Sequence, residues 1–378
     1  MVEPLAPRYG AGALADLVPS LLSGMNVPGM VNVLGLPTAN RVCLLLVDGL
    51  GWELLRRHAA DAPFLTELAR TSTPITAGFP ATTATSLAAI GTGLPTGQHG
   101  LVGYSFAVDD DTVLNALRWR QREEDLRERV VPEVFQPAPT AFERAAEAGV
   151  HVSLVAPRDQ NGSGLTRAVL RGGQFRGVHA LGDLTARTIG ALQAERSFCY
   201  AYHADLDALG HLYGPGSDPW RSQLIHVDRL AQAIAERLPD GAVLVVTADH
   251  GMVAATDRVD FDAEPLLRNG VRVLGGEARV RHVYAEPGAV DDVRQAWQGF
   301  LGDRAWLAHR DEAIAAGWFG PVADHVRPRI GDLVVAAKGG LAITQSAEGV
   351  LSGFIGHHGS LTAEEQLIPL LVHQRGVA

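Results

Sequence analysis

Six ionisable residues of this 378-residue chain sit where apolar runs end. Asp48 follows RVCLLLV, and Asp249 and His250 follow AVLVVT. Asp207 and His211 lie in DLDALGHLYGPG, just beyond FCYAYH, and His358 lies in GHHGSL, near the last apolar run. Three aspartates and three histidines can supply two sites of three protein ligands each. Mixed carboxylate and imidazole ligation suits Zn2+, with Mn2+ the next choice. Two such ions about 3.5–4 Å apart can clamp the attacking and leaving oxygens of an in-line phosphoryl displacement. Each residue alone has a duller reading. Asp-Gly after a strand is usually a turn, and Asp207 with His211 fits a helix cap and a solvated imidazole. His358 alone fits an ordinary hydrogen-bonded histidine. The joint occurrence, in this order and at strand ends, points to chemistry.

A second group of residues supplies hydroxyls. Residues 79–104 read FPATTATSLAAIGTGLPTGQHGLVGY, a turn entering a helix. Thr82, Thr83, Thr85 and Ser86 crowd that entry. A hydroxyl there faces free backbone N–H groups, a ready anion site. Threonine alkoxide is scarce at neutral pH, and a nearby metal ion makes it a usable nucleophile. Without the metal cluster, the same hydroxyls would simply cap the helix.

The elements that must position these residues follow from apolar patterning. Five runs read as strands: 41–47, 150–156, 198–203, 242–247 and 366–373. Continuous apolar runs imply strands covered on both faces, as in a mainly parallel sheet. Helical patterns lie between them, over 140–148 with Thr140 as N-cap and over 221–238. Alternating strands and helices predict a doubly wound α/β fold. In such a sheet, ligands collect beyond the carboxyl ends of the strands. Residues 255–340 are richer in charge and have shorter runs, so they read as a smaller inserted cap. The catalytic core is then 1–254 and 341–378. Residues 103–130 read as a second excursion near the site mouth, and Tyr104 and Trp119 are candidate stacking aromatics for a flat substrate group.

Composition narrows the function classes. Hydrophobic residues make up 47% and charged residues 20%, as in a folded globular protein of about two domains. The net charge of -10 argues against a nucleic-acid duplex or an anionic membrane as partner. An anionic substrate would have to be drawn in locally, which bound cations would do. Lys338 is the only lysine. Cys43 and Cys199 sit in apolar runs without CxxC spacing and read as buried thiols of a reducing compartment. No run approaches the ~20 apolar residues of a membrane span, and the N-terminal segment lacks a secretory pattern. The expectation is a cytoplasmic protein.

LLLVDGLGW, TTATSLAAIGTGLPTGQHG, DLDALGHLYGPGS, VTADHGM and GHHG resemble, in order, the motifs of nucleotide pyrophosphatase/phosphodiesterases of the alkaline phosphatase superfamily. The resemblance covers most of residues 40–255 and 328–375. It implies an alkaline phosphatase-like fold and two zinc ions. One ion is held by Asp207, His211 and His358, the other by Asp48, Asp249 and His250 with Thr83 beside it. The family nucleophile lies nine residues before the Thr of a Thr-Gly pair. Counting back from Thr92-Gly93 gives Thr83, with Thr82 as the neighbouring alternative. The implied reaction is hydrolysis of a small phosphoester, a nucleotide among the candidates, through a phospho-threonine. A phosphomonoesterase or phosphonate hydrolase on the same site is the alternative. The chain departs from the family at one place. Members usually carry an Asn three residues after the nucleophile as a phosphoryl donor, and Ser86 stands there. Thr85, Ser86 or backbone N–H groups are the expected substitutes. The Cys/Ser-x-Pro-x-Arg frame of sulfatases and the serine motif of metal-dependent phosphoglycerate mutases are both missing.

Overall fold

The computed structural model describes residues 3–376. Its centre is a six-stranded sheet of β1 (Arg41–Val47), β2 (His151–Pro157), β3 (Gln174–Val178), β4 (Ser197–His203), β5 (Val243–Thr247) and β6 (Leu370–Gln374). The spatial order is β6-β5-β1-β4-β2-β3. All neighbours run parallel except β6, which pairs antiparallel with β5. The fold is therefore the doubly wound, mainly parallel α/β architecture expected. Strands β1, β4 and β5 are buried almost throughout, which is why their sequences are continuous apolar runs. Cys43 and Cys199 face each other in register on β1 and β4, both free and buried.

Two departures have local causes. The run 366–373 is not one strand. A short helix Ala363–Gln366 leads into Leu367–Ile368, which pairs with Ile75–Thr76, and β6 starts only at Leu370. Pro369 separates the two, since it has no N–H to give a ladder. Edge strand β3 has no apolar signature because only Val178 in QFRGV is fully buried.

Three helices matter for the site: α1 (Thr83–Thr92), α2 (Asp205–Tyr213) and α3 (Asp218–Arg237). Helix α1 is buried along its whole length and stops at Gly93, whose φ of 69° provides the left-handed cap. Helix α3 begins at Asp218, ahead of the apolar pattern, because Pro219 is tolerated in a first turn. It buries Trp220, Leu224, Val227, Ala231 and Ile234. Thr140 caps the helix Ala141–Glu147 through a reciprocal box with Glu143.

A second hydrophobic cluster gathers Val259, Leu267, Val293, Trp297, Leu333 and Ile343. It lies against a four-stranded antiparallel sheet ordered Val271–Glu277, Val280–Ala285, Leu333–Ala337, Ala305–His309. The cluster runs past residue 340 because Asp257–Asp260 pairs in parallel with Leu341–Thr344. Residues 105–125 form a separate small antiparallel sheet.

Candidate active site

Strands β5, β1 and β4 are adjacent, so their carboxyl ends share one rim. Asp48 follows β1, and its N–H donates to the carbonyl of His203 at the end of β4 (2.9 Å). Asp249 and His250 follow β5. Asp207 and His211 are four apart on α2 and so share a face. His358 follows the two-residue strand Gly356–His357, which pairs with Val253–Ala254. The Asp48–Gly49 turn needs its glycine. Gly49 has φ +75°, and a Cβ there would lie 3.0 Å from Cα of Asp207.

The six residues converge as two triads. Asp207, His211 and His358 have ligand atoms within 4.8 Å of one another, and so do Asp48, Asp249 and His250. The triads touch, with the His250 and His358 rings stacked at 3.6 Å between centroids and 14° between planes. Thr83 opens α1, and its Oγ1 is 3.3 Å from Nε2 of His250. Thr82 is the N-cap and points elsewhere, donating to Oε2 of Glu277 (3.3 Å).

Hydrogen bonding sets the tautomers. Nδ1 of His211 faces the carbonyl of Gly356 (2.8 Å), Nδ1 of His250 that of Gly251 (3.0 Å), and Nδ1 of His358 that of Ala81 (3.0 Å). A carbonyl only accepts, so each Nδ1 carries the proton and each Nε2 keeps a lone pair. Those lone pairs meet other acceptors. Nε2 of His211 and His358 are 3.3 Å apart, and Nε2 of His250 is 3.3 Å from Oδ2 of Asp249 and 3.4 Å from Oδ1 of Asp48. Oδ1 of Asp48, Oδ1 of Asp207 and Oδ2 of Asp249 are buried without hydrogen-bond partners. Acceptors packed against acceptors fit a pair of divalent cations.

The electrostatics say the same. Burial, then Asp249 and Asp207, push Asp48 well above the usual carboxylate range, against the hydroxyl of Tyr202. Burial would lower His211, but Asp207 raises it to about 9. Burial would raise Asp207, yet His211 and His358 bring it below the ordinary value. Burial also takes His358 well below its usual range. With no cation, a proton on Nε2 of His211 would relieve part of the crowding.

The sequence model of the type I phosphodiesterase / nucleotide pyrophosphatase family matches residues 42–361. The chain belongs to this family. Among solved structures, an inactive variant of murine ectonucleotide pyrophosphatase / phosphodiesterase 5, in complex with AMP, superposes with a TM-score of 0.67 at 19% identity. It covers 89% of this chain and 88% of its own. Phosphonoacetate hydrolase from Sinorhizobium meliloti 1021, in complex with phosphonoacetate, gives 0.62 at 18%, covering 89% and 90%. These likenesses show an alkaline phosphatase-like fold. A phosphopentomutase from Anaeromyxobacter dehalogenans is 34% identical over 160 residues, 40% of this chain. The match spans 38% of that relative's length.

As a phosphodiesterase-family chain it departs from pattern just after Thr83, and the structure corrects the expected substitutes. Oγ1 of Thr85 donates to the carbonyl of Leu101 (3.0 Å), and Oγ of Ser86 to that of Asp249 (2.7 Å); both side chains are fully buried. Both hydroxyls are thus engaged within the protein. The N–H groups of Thr83, Ala84 and Thr85 in the first turn of α1 have no intrahelical acceptor. Trp119 is no stacking platform either. It is fully buried against Phe135, with its indole N–H on the carbonyl of Val130 (2.6 Å). Tyr104 does line the cavity of about 340 Å3 that opens onto Thr83, Asp207, His211 and His358. Leu117, Arg118, Leu212, Glu277, Glu348 and Phe354 line it too.

Two residues at the site escaped sequence reasoning. Glu277 comes from the strand Val271–Glu277, far from every motif. Tyr202 donates to Oδ2 of Asp48, but in sequence it is one residue of an ordinary strand. Only the odd position of Tyr202, polar-tipped at the end of a buried run, hinted at it. Among the described residues no helix is long and apolar enough to cross a membrane.

Proposed function

We propose that the chain is a metal-dependent phosphodiesterase that works through a covalent phospho-threonine on Thr83. One observation carries the reading: Oγ1 of Thr83 sits at a helix N-terminus, 3.3 Å from Nε2 of His250, beside two Asp/His triads in which Oδ1 of Asp48, Oδ1 of Asp207 and Oδ2 of Asp249 are buried without hydrogen-bond partners. Asp48, Asp249 and His250 would hold one divalent cation, with Thr83 at the same ion. Asp207, His211 and His358 would hold the other. Bound Zn2+ or a similar ion would neutralise phosphoryl oxygens and lower the pKa of the threonine hydroxyl.

The chain's own residues do the rest. The rigid first turn of α1 aims the Thr83 oxygen and presents N–H dipoles to the phosphoryl group. As the Oγ–P bond forms, the bond from phosphorus to the leaving oxygen breaks on the opposite side. The proton lost by Thr83 leaves with the departing alcohol; water then attacks phosphorus as the Oγ–P bond breaks, and a proton from that water restores the Thr83 hydroxyl. A diester fits better than a monoester. The cavity offers room for a second substituent, while the one guanidinium that lines it, Arg118, is exposed. A monoester dianion would want more positive donors than that. A nucleoside diester remains one candidate substrate, with Tyr104 as the flat contact.

The test pairs two variants. Thr83→Ala should lose p-nitrophenyl diester hydrolysis by at least about a thousandfold while keeping its metal content. Thr82→Ala should keep turnover. Loss in the second variant and retention in the first would move the nucleophile to Thr82.

A further inference from the structure

The short helix Ala363–Gln366 bonds to loops from both triads, and its Glu365 and Gln366 are fully buried. The backbone carbonyl of Glu365 accepts from the N–H of Gly251 (2.9 Å), the residue after His250. Its side-chain Oε1 accepts from the N–H of Ser360 (2.9 Å), two residues after His358. One residue therefore ties down a histidine loop from each triad. Gln366 extends the tie to the nucleophile segment, with Nε2 donating to the carbonyls of Ser360 (3.0 Å) and Gly78 (3.2 Å). The approach is close: a Cβ on Gly251 would collide with the carbonyl oxygen of Glu364.

The smaller sheet aims the carboxylate. Arg279 stands at the turn between the strands Val271–Glu277 and Val280–Ala285 and is fully buried. Its Nε donates to Oε1 of Glu365 (3.0 Å) and its Nη2 to Oε2 (2.7 Å). Oγ1 of Thr362 also donates to Oε2 (2.6 Å), so each carboxylate oxygen accepts two hydrogen bonds. The guanidinium reaches the carbonyls of Ala337 (3.1 Å) and Leu341 as well. A buried ion pair of this kind gains little net stability over apolar packing. What a bidentate guanidinium–carboxylate pair does fix is direction.

We infer that Glu365 is a positioning residue of the metal site: its carboxylate, aimed by Arg279, holds the turn after His358, and its backbone carbonyl holds the turn after His250. This rests on the two-ion reading of the site and adds to it a residue outside both triads. Side chain and backbone act on different triads. The triad of Asp207, His211 and His358 depends on Oε1 of Glu365. The triad of Asp48, Asp249 and His250 depends on a carbonyl that any residue at 365 supplies. A change of side chain therefore reaches one triad and spares the other, which a general loosening of the fold would not do.

The experiment measures Zn2+ affinity by chelator competition in two backgrounds that each leave one triad whole. His250→Ala keeps Asp207, His211 and His358; His211→Ala keeps Asp48, Asp249 and His250. Each receives Glu365→Ala together with Arg279→Met, so that no guanidinium is left buried without its counter-charge. In the His250→Ala background affinity should fall by about tenfold or more. In the His211→Ala background it should stay within about twofold, the scatter expected of independent sites. Glu365→Gln with Arg279→Met restores an acceptor for the Ser360 N–H and should recover most of the loss. Glu365→Asp with Arg279 intact keeps the ion pair and serves should the alanine pair not fold by circular dichroism. Its shorter side chain cannot span Arg279, Ser360 and Thr362 together, so it should weaken the same triad several-fold. Equal weakening in the two backgrounds, unchanged affinity in the His250→Ala background, or equal losses for alanine and glutamine would each overturn this inference. Two ions bound by the parent alongside any of those results leaves the two-ion reading standing. A parent chain that binds no Zn2+ would overturn both.

Discussion

Tyr202 donates its hydroxyl to Oδ2 of Asp48, while Oδ1 of that carboxylate is buried with no hydrogen-bond partner. The division is informative: one oxygen is held in place, the other is left for a ligand. Outer partners of this kind typically contribute 10–100-fold to metal affinity. Tyr202→Phe should therefore weaken metal binding by about tenfold in a chelator competition, with the fold intact by circular dichroism. Unchanged affinity would mean that Tyr202 serves packing alone. At this scale the sequence was readable where a residue announces itself by type and place. Asp48, Asp207, His211, Asp249, His250 and His358 all do, since carboxylates and imidazoles stand out after apolar runs. Thr85 and Ser86 were misjudged because a hydroxyl's partner is set by three-dimensional packing: Asp249 and Leu101 are distant carbonyls. Glu277 gave no signal because nothing in its local sequence refers to Thr82.

Helix α1 and the turn after β1 show how elements carry those residues. Gly49 lets the Asp48 loop approach α2, with a left-handed φ and no room for a Cβ near Asp207. Gly49→Ala should lose about 1–2 kcal/mol from backbone strain alone, and more from the displaced loop. It should also lower the metal stoichiometry. Gly35→Ala is the control, with φ +65° and nothing within 4 Å of an added Cβ. It should show only the backbone cost in denaturant unfolding and leave metal binding alone. Equal behaviour of the two variants would remove the close-approach argument. Buried strands were legible because coverage on both faces leaves an apolar run. The edge strand β3 was not, because half of it faces solvent and its polar residues mimic a loop. The break at Pro369 could have been seen in the sequence, since proline cannot extend a ladder; the apolar residues around it hid that.

Over the whole molecule, the chain carries a net charge of -10 yet gathers acidic groups into one buried rim. Such a rim is stable only with protons or cations in it, so acid and base should act differently on the metal-free chain. Burial lowers His99 to about 3, helped by Arg329, and His282 to about 4. Both are depressed below the ordinary value, so the folded chain binds fewer protons than the unfolded one. Stability should fall as pH drops from about 6.5 towards 4, by at most about 1.4 kcal/mol per pH unit for each histidine. His211 acts oppositely. Its raised value of about 9 gives stability that is full below about 6.5 and lost as pH climbs through 9. Burial also raises Glu277 to about 8, so its contribution too is lost as pH rises. Urea midpoints of the chelated protein should therefore fall on both the acid and the alkaline side, and a monotonic profile would contradict these assignments. The parallel core was legible in the alternation of strand and helix. The extent of the smaller sheet was harder to read, because Leu341 and Ile343 join its core across a parallel pairing that no local pattern reveals. The most direct measurement is the number of divalent ions per chain, by elemental analysis of the purified protein and of His211→Ala and His250→Ala. Two ions in the parent and one in each variant is the expected result; a parent that binds none after incubation with Zn2+ or Mn2+, or variants that keep both, would contradict the two-triad site.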